Sequence, residues 1–567
     1  MDEEILKAVR NLNISSPGAS GIHARLWQAL SSTNAGFNFI RHFVVQFWIT
    51  EMPPAEWEIG LLSILPKKGD LSNPNNYRGI MMLEVAYKIV ANILLTRLKP
   101  IKESIQLDHE SQNGFRRMRG CLDSIFTLKQ LIKKRAEHGL ETWLLLIDLV
   151  KAFDRVPREL LWEVMLKQGV PPKLVSLLKA LHKSVKIKIV VDGVEKIIES
   201  IIGVKQGDIL GPDLFIFFMA AVLKTWRSSY SHSYKLCTVR CKSDFILTGR
   251  RSKTKGELDT TVADSEYADD TAFTFESRED CEKTTPLIFK HFARWGLEVH
   301  VGTNDATSKS EILFCAKDQR CYSMPKTYDG VDLSPIRWGE GFNIPVVEHF
   351  KYLGSYLSRN CRDDHDVHSR IISAGNAFGS LRKSIFSSCN ISTAAKHSVY
   401  TSVILSILLY GCECWSLTEQ LLDRLRVFHN QCIRSMCRVT RKHTWEHRIS
   451  SAELRARIGL HPIEFYIYHR QLFWLGNVSR MDFSRLPRRM LSCWIPSKRP
   501  VGRPRFTYGE TVRKALQQFG FTDENLGFTW DIVAQKRCIW RFLISPDTFY
   551  NKISRSVATS ALARARR

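Results

Sequence analysis

Trp143-Leu144-Leu145-Leu146-Ile147-Asp148, continued by Leu149-Val150-Lys151-Ala152-Phe153-Asp154-Arg155-Val156, is the stretch on which the fold turns. An unbroken apolar run is the pattern of a buried strand, and Asp148 stands at its end. Downstream, Pro157 opens a helix over residues 158–168, and Pro171-Pro172 opens a second. Residues 185–191 and 194–202 flank Asp192-Gly193, the strongest short signal for a hairpin. The hairpin runs into Gly203-Val204-Lys205-Gln206-Gly207-Asp208, then Gly211-Pro212 and an apolar helix over 214–223. Residues 228–260 are polar, basic and irregular, which predicts a surface excursion. Tyr267-Ala268-Asp269-Asp270 then precedes a strand over 271–275 and a helix over 282–295. Upstream lie two helical patterns within 3–30, a strand over 59–65, a polar loop ending at Arg78 and a helix over 83–98. The succession predicts an α+β fold, a sheet with helices on one face. Beyond about residue 365 the pattern is helical, and the last stretch reads as irregular and basic.

The chain has 567 residues, with 82 Lys+Arg against 57 Asp+Glu and a formal net charge of +25. A hydrophobic fraction of 44% with 25% charged residues excludes global disorder. No apolar run reaches the roughly 18 residues of a spanning helix; the nearest, 399–412, is broken by Thr401, Ser402 and Ser406. Met1-Asp2-Glu3-Glu4 does not open a signal peptide, and the 14 cysteines are too few for a disulfide scaffold, so a reduced intracellular protein is expected. The charge is uneven: residues 1–360 carry 49 basic and 42 acidic side chains, while 361–567 carry 33 and 15. A segment with that surplus calls for a polyanionic partner, nucleic acid before membrane.

Asp148 ends a buried strand, and Asp269-Asp270 sit in the turn of a hairpin that should pair beside it. Three carboxylates at one sheet edge repel, and ionising them together costs several kcal/mol unless a cation intervenes. Two Mg²⁺ ions roughly 3.5–4 Å apart would resolve this, as in phosphoryl and nucleotidyl transfer. Hard oxygen ligands with no nearby Cys/His set favour Mg²⁺, or Mn²⁺, over zinc.

In these residues the chain resembles the reverse transcriptase of non-LTR (LINE-type) retrotransposons. Residues 146–156, the Gly203-to-Leu210 segment and Tyr267-Ala268-Asp269-Asp270 match three ordered polymerase motifs. Leu65-Pro66-Lys67-Lys68-Gly69-Asp70, Asn76-Tyr77-Arg78-Gly79-Ile80 and Gln112-Asn113-Gly114-Phe115-Arg116 are similar to its fingers segments. Gly296-Leu297 with Lys309-Ser310-Glu311 resembles a fourth motif, and Phe350-Lys351-Tyr352-Leu353-Gly354 the primer grip. The chain departs from the pattern at Gly79 and Ile209, where the family has proline, and at Gly211, where it has serine.

The resemblance implies a right-hand architecture: an N-terminal extension with fingers over 1–140, a palm over 141–320, a primer grip with helical thumb over 321–450, and a basic nucleic-acid-binding region over 451–567. It implies that Asp148 and Asp269 ligate two Mg²⁺ ions, with Asp270 as the adjoining acid. Lys67, Lys68 and Arg78 would grip the triphosphate, Gln206 and Gly207 would pack on nucleotide and template, and Lys309 would protonate pyrophosphate. Phe153 would act as the steric gate against a ribose 2′-hydroxyl. Tyr352, Arg503 and Arg505 would contact nucleic acid, the arginines from the Gly502-Arg503-Pro504-Arg505 segment. The implied activity is RNA-directed DNA polymerisation, with an RNA template, a DNA primer or target and dNTPs as partners, in nucleus and cytoplasm. No endonuclease pattern is recognised, so a separate nuclease is a further expected partner. A remnant that binds nucleic acid without catalysis is the alternative. Cys432, Cys437, His443 and His447 offer four zinc-type donors, at a spacing poor for chelation from one helix.

Overall fold

The run at 143–147 lies within β3 (Thr142–Ile147), whose every residue is buried. The computed structural model describes the chain except residues 15, 68–69, 105–108, 231–232, 243–257, 303–307, 317–326, 329–330, 339–341, 501–506, 522–528 and 551–567. Two strands precede β3, β1 (Ile59–Pro66) and β2 (Tyr77–Met82). It is followed by β4 (Lys186–Val191), β5 (Val194–Glu199), β6 (Cys237–Cys241), β7 (Leu258–Val262), β8 (Asp264–Tyr267), β9 (Asp270–Phe275) and β10 (Glu311–Cys315). The helices that frame them are α1 (Asp2–Arg10), α2 (Ala24–Leu30), α3 (Asn34–Thr50), α4 (Val85–Ser104) and α5 (Cys121–Glu137). After β3 come α6 (Arg158–Lys167), α7 (Pro172–His182), α8 (Gly211–Tyr230), α9 (Arg278–Arg294) and α10 (Asp364–Leu381).

β3 is the middle of a five-stranded sheet, in the order Val346–Val347, β10, β3, β9, β8. It runs antiparallel to both β9 and β10. Leu144 and Leu146 join a buried cluster with Ile125, Phe126 and Leu128 of α5. Trp143, Leu145 and Ile147 join another, with Phe215 and Phe217 of α8 and Ile288 and Phe292 of α9. Helices therefore cover both faces of this sheet, not one as the sequence predicts. Successive side chains of a strand point to opposite sides, and an unbroken apolar run must be buried on both.

A second sheet has the order β2-β1-β4-β5. β1 pairs antiparallel with β2 and parallel with β4, so segments more than a hundred positions apart share one sheet. The β4–β5 turn is the expected hairpin: Asp192 and Gly193 take φ of 50° and 81°, the left-handed pair that a two-residue turn requires. Among the described residues of the predicted excursion, β6 pairs antiparallel with β7, and Cys493–Trp494 adds a third strand. Residues 243–257 between them lie outside the described residues.

Where it is described, the C-terminal region is mostly helical, as the pattern beyond residue 365 predicts, with Ile463–Ser479, Leu486–Leu491 and Tyr508–Gln518 among its helices. It shares its core with α5: the rings of Trp474 and Tyr508 lie 6.1 and 5.4 Å from that of Phe126. Beside this contact, buried Lys129 of α5 donates to Asp363 at 2.8 Å and to Asp366 at 2.9 Å. Lys133 reaches Asp363 at 2.7 Å, and the Trp415 indole donates to Asp366 at 2.9 Å. Buried charges survive only when paired in this way; removing one partner typically costs about 3–5 kcal/mol. Among the described residues all cysteines are free, and no helix is long and apolar enough to cross a membrane.

Candidate active site

β3 and β9 are in register from Trp143↔Phe275 to Ile147↔Thr271, so the next step brings Asp148 level with Asp270. Tyr267 pairs with Asp270 across the β8–β9 turn, and Ala268 within it takes a left-handed φ of 60°. Such a conformation strains a residue with a Cβ and persists only where its surroundings fix it. Here they do. The Ala268 N–H donates to Gln112 Oε1 at 3.1 Å, which also accepts from Gly114 N at 2.7 Å. Gln112 Nε2 in turn donates to Glu266 Oε2 at 3.2 Å. The flanking backbone is stitched as well, Asn113 N to Glu266 O and Glu266 N to Ser111 O, each at 2.9 Å. A Cβ at Gly114 would stand 2.4 Å from Ala268 N, so that position admits only glycine without movement. Gln112 is 4% exposed and touches the turn by its amide alone. The sequence displays the Gln-Asn-Gly triplet but not this task, since its partner is 156 positions away.

Asp148 is fixed through its backbone: its N–H donates to Ser310 Oγ at 3.1 Å, and its carbonyl accepts from His300 N at 2.8 Å. The acids sense one another. Burial and then the Asp148 charge push the Asp269 carboxyl up, against a lowering pull from Arg78. Burial, Asp269 and Asp148 together push Asp270 up to about 6. Carboxyls held above their usual range by neighbouring acids are poised to give up that repulsion to a cation.

A cleft of about 900 Å³ opens over these acids. Asp148 and Asp269 line it, together with Lys67, Arg78, Phe153, Gln206, Gly207 and Lys309; Asp270 lies beside it. Lys67 and Arg78 come from the ends of β1 and β2, whose pairing sets Leu65 opposite Arg78. Gly207 takes φ of 99°, and a Cβ there would meet Met81 O at 2.7 Å, so the loop docks directly on β2. Gln206 O accepts from Met81 N at 2.8 Å. Phe153 stacks on Phe215 with centroids 4.4 Å apart and meets Phe115 edge-on at 6.4 Å, which locks its ring at the cleft wall. Val204 N bonds Phe153 O at 2.8 Å and ties the two motif segments together.

Lys205 and Asp208, which also line the cleft, meet Tyr87 in a buried group to which the sequence assigned no role. Tyr87 donates its hydroxyl to buried Asp208, and Lys205 donates to Leu181 O at 3.0 Å while its ammonium lies 4.6 Å from the Tyr87 ring centroid. Burial lowers Lys205 to about 8 and raises Asp208.

The described residues contain no group of three His, Cys, Asp or Glu side chains arranged to hold a metal ion. Two carboxylates facing an open cleft still suit Mg²⁺, which is usually bound by one or two carboxylates together with substrate phosphates. The four zinc-type donors do not converge. Cys432 is buried, Cys437 Sγ donates to Leu454 O at 3.7 Å, and His443 and His447 pack ring to ring on the surface. Tyr352 is corrected too: it is 2% exposed, with its hydroxyl donated to Ser265 O at 3.3 Å, so its ring faces the core and not a groove. Lys68, Arg503 and Arg505 lie outside the described residues.

Residues 65–357 match the family described as reverse transcriptase (RNA-dependent DNA polymerase). Over half of its length the chain is 29% identical to a 149 kDa protein of transposon TX1 from Xenopus laevis, covering 20% of that protein. It is 28% identical, over 38% of its length and 29% of the relative's, to the Pol polyprotein of a type-1 R2 retrotransposable element from Popillia japonica. It is 22% identical to the RNA-directed DNA polymerase of mobile element jockey from Drosophila funebris, over 68% of this chain and 38% of that one. The chain thus spans from a fifth to under two-fifths of the length of these relatives. With the matched region covering just over half of the chain, this protein belongs to the reverse transcriptase family, among the enzymes of non-LTR, LINE-type retrotransposons.

Proposed function

We propose that the chain is an RNA-directed DNA polymerase that extends a primer 3′-hydroxyl with dNTPs on an RNA template. What carries this reading is one cleft lined at once by Asp148 and Asp269, by Lys67 and Arg78, and by the locked ring of Phe153. In this reading residues 1–140 are N-terminal extension and fingers, 141–320 the palm, 321–450 primer grip and thumb, and 451–567 a basic nucleic-acid-binding region.

Asp148 and Asp269 would hold two divalent cations, Mg²⁺ or Mn²⁺, with Asp270 adding negative charge alongside. When bound, these ions supply a lowered pKa for the attacking hydroxyl and neutralise charge on the triphosphate and leaving pyrophosphate. Arg78 is suited to two-pronged phosphate contact and Lys67 to a point-charge contact, while Lys309 stands in the same cleft as a proton donor for pyrophosphate. Gln206 and Gly207 would form the floor on which base pair and sugar rest. The decisive experiment is extension of an annealed RNA template and DNA primer by the purified chain with dNTPs and Mg²⁺. A protein that binds the hybrid without extending it would return the reading to a non-catalytic remnant.

Gln112 would act as a positioning residue. Gln112→Met keeps the length of the side chain but strands the Ala268 N–H, a loss of about 1–3 kcal/mol in a buried setting. The expected result is a kcat reduced about tenfold or more with the KM for dNTP little changed, read by steady-state extension; a purely structural role would lower the yield of folded protein but leave kcat alone.

The raised carboxyls also set a linkage between metal and pH. Asp269 and Asp270 both stand above their unfolded range, so their contribution to stability is full below about pH 4 and is lost as the pH rises, for Asp270 through about 6. Mg²⁺ at ten times its Kd should therefore raise Tm at pH 8 by about 2–4 °C, and much less at pH 5. Calorimetry of the wild type and Asp269→Asn checks this, the variant losing most of the difference.

A further inference from the structure

Between the helices Glu419–Met436 and Ser451–Ile458 the chain makes a short excursion, Arg438 to Arg448, that takes no part in the cleft. At its tip, on the helix Arg441–Glu446, the Trp445 side chain is 82% exposed. Fully exposed tryptophan is unusual, because a large apolar surface left in water is a standing cost. The mount is firm. Thr440 caps the helix by accepting from His443 N at 3.1 Å, and Thr444 Oγ1 donates to Arg441 O at 2.8 Å. Ile449 N returns to Thr444 O at 2.9 Å, and Val439 and Ile449 pack against the main core on either side. The indole is therefore presented by a short turn anchored at both ends.

Around it the charge is one-sided. Arg438, Arg441, Lys442 and Arg448 are exposed, and Glu446 is the only acid in the excursion. Lys442 approaches Glu446 at 3.7 Å, whereas Arg438, Arg441 and Arg448 form no ion pair among the described residues. The other exposed neighbours, His443 and His447, are polar and packed ring to ring. A membrane-binding helix would need an apolar stripe, and this one has a single aromatic residue among polar ones. One bare aromatic face amid uncompensated cations is instead the composition that receives a nucleobase and its flanking phosphates.

We propose that Trp445, with Arg438, Arg441 and Arg448, forms a docking platform for single-stranded nucleic acid, separate from the catalytic cleft. A base stacks on the indole face and the guanidinium groups meet the phosphates on either side. Stacking tolerates any base, so the platform would hold strand without reading sequence. It requires no polymerase activity and would stand even if the cleft proved inert.

The test uses the full chain and a short, unstructured, end-labelled RNA, with affinity read by fluorescence anisotropy across a salt series. Trp445→Ala should weaken binding about tenfold, whereas Trp445→Phe, which keeps a stacking face, should stay within about threefold of the wild type. Arg441→Ala with Arg448→Ala should reduce the slope of log affinity against log salt by roughly 0.7 per cation removed. Far-ultraviolet circular dichroism and the melting temperature should be unchanged in all three, which reports that they fold. Unaltered RNA affinity in Trp445→Ala overturns the proposal, as does an equal loss in Trp445→Phe. Loss of binding to anionic phosphatidylserine vesicles with RNA affinity intact would assign the patch to membrane and overturn it as well.

Discussion

Asp269→Asn is expected to abolish primer extension, a fall of about a thousandfold or more, while RNA–DNA hybrid binding stays within about twofold. The substitution keeps size and hydrogen-bonding reach but removes the charge of one of the carboxylates that line the cleft. If Asp269 holds a divalent cation, its charge supports several kcal/mol of transition-state stabilisation, and about 4 kcal/mol is roughly three orders of magnitude in rate. Binding should not suffer, because the lost charge faces a polyanion, and its removal relieves Asp270 of a like charge that now helps to push its carboxyl up. Single-turnover extension measures the first effect and filter binding the second. Extension surviving within tenfold would remove Asp269 from the chemistry.

The second large effect concerns the sugar. Phe153 is clamped between the face of Phe215 and the edge of Phe115, so its ring cannot swing away from an incoming 2′-hydroxyl. Phe153→Val opens that wall, and the preference for dNTP over rNTP, taken as the ratio of kcat/KM values, should fall about a hundredfold. If Phe153 is the steric gate, Phe153→Tyr should retain the preference, since it keeps the bulk of the ring. Competition between the two nucleotide types on one template reads the ratio directly, and an unchanged ratio in the valine variant would reject the gate.

Much of this arrangement was legible in the sequence because its informative units are local. An apolar run ending in Asp148, a hairpin at Asp192-Gly193 and the Tyr-Ala-Asp-Asp turn each announce themselves within a few residues. The sheet then does the assembling, and the candidate nucleotide contacts within the described residues all line one cleft. What escaped is non-local. The covering of both faces of β3 depends on α5, which lies upstream of the strand and on the opposite side from α8 and α9. Tyr352 reads as a reachable aromatic in an extended motif, yet the pleat turns it inward to Ser265. Gln112 and the Tyr87–Asp208–Lys205 group are polar residues whose partners lie far along the chain, and periodicity says nothing about such pairs. The docking of Trp474 and Tyr508 on Phe126 likewise joins segments far apart along the chain.

The lysines of α5 carry a lesson about inheritance. Lys129 and Lys133 lie inside the segment by which the family is identified, yet Asp363 and Asp366, which neutralise them, lie beyond its far border, as does Trp415, whose indole donates to Asp366. A recombination event that spliced only the signature region into a new host gene would leave two ammonium groups stranded in oil. The portable module is accordingly longer than the signature, and lineages that shuffle such elements should be found to exchange the helical partner along with it.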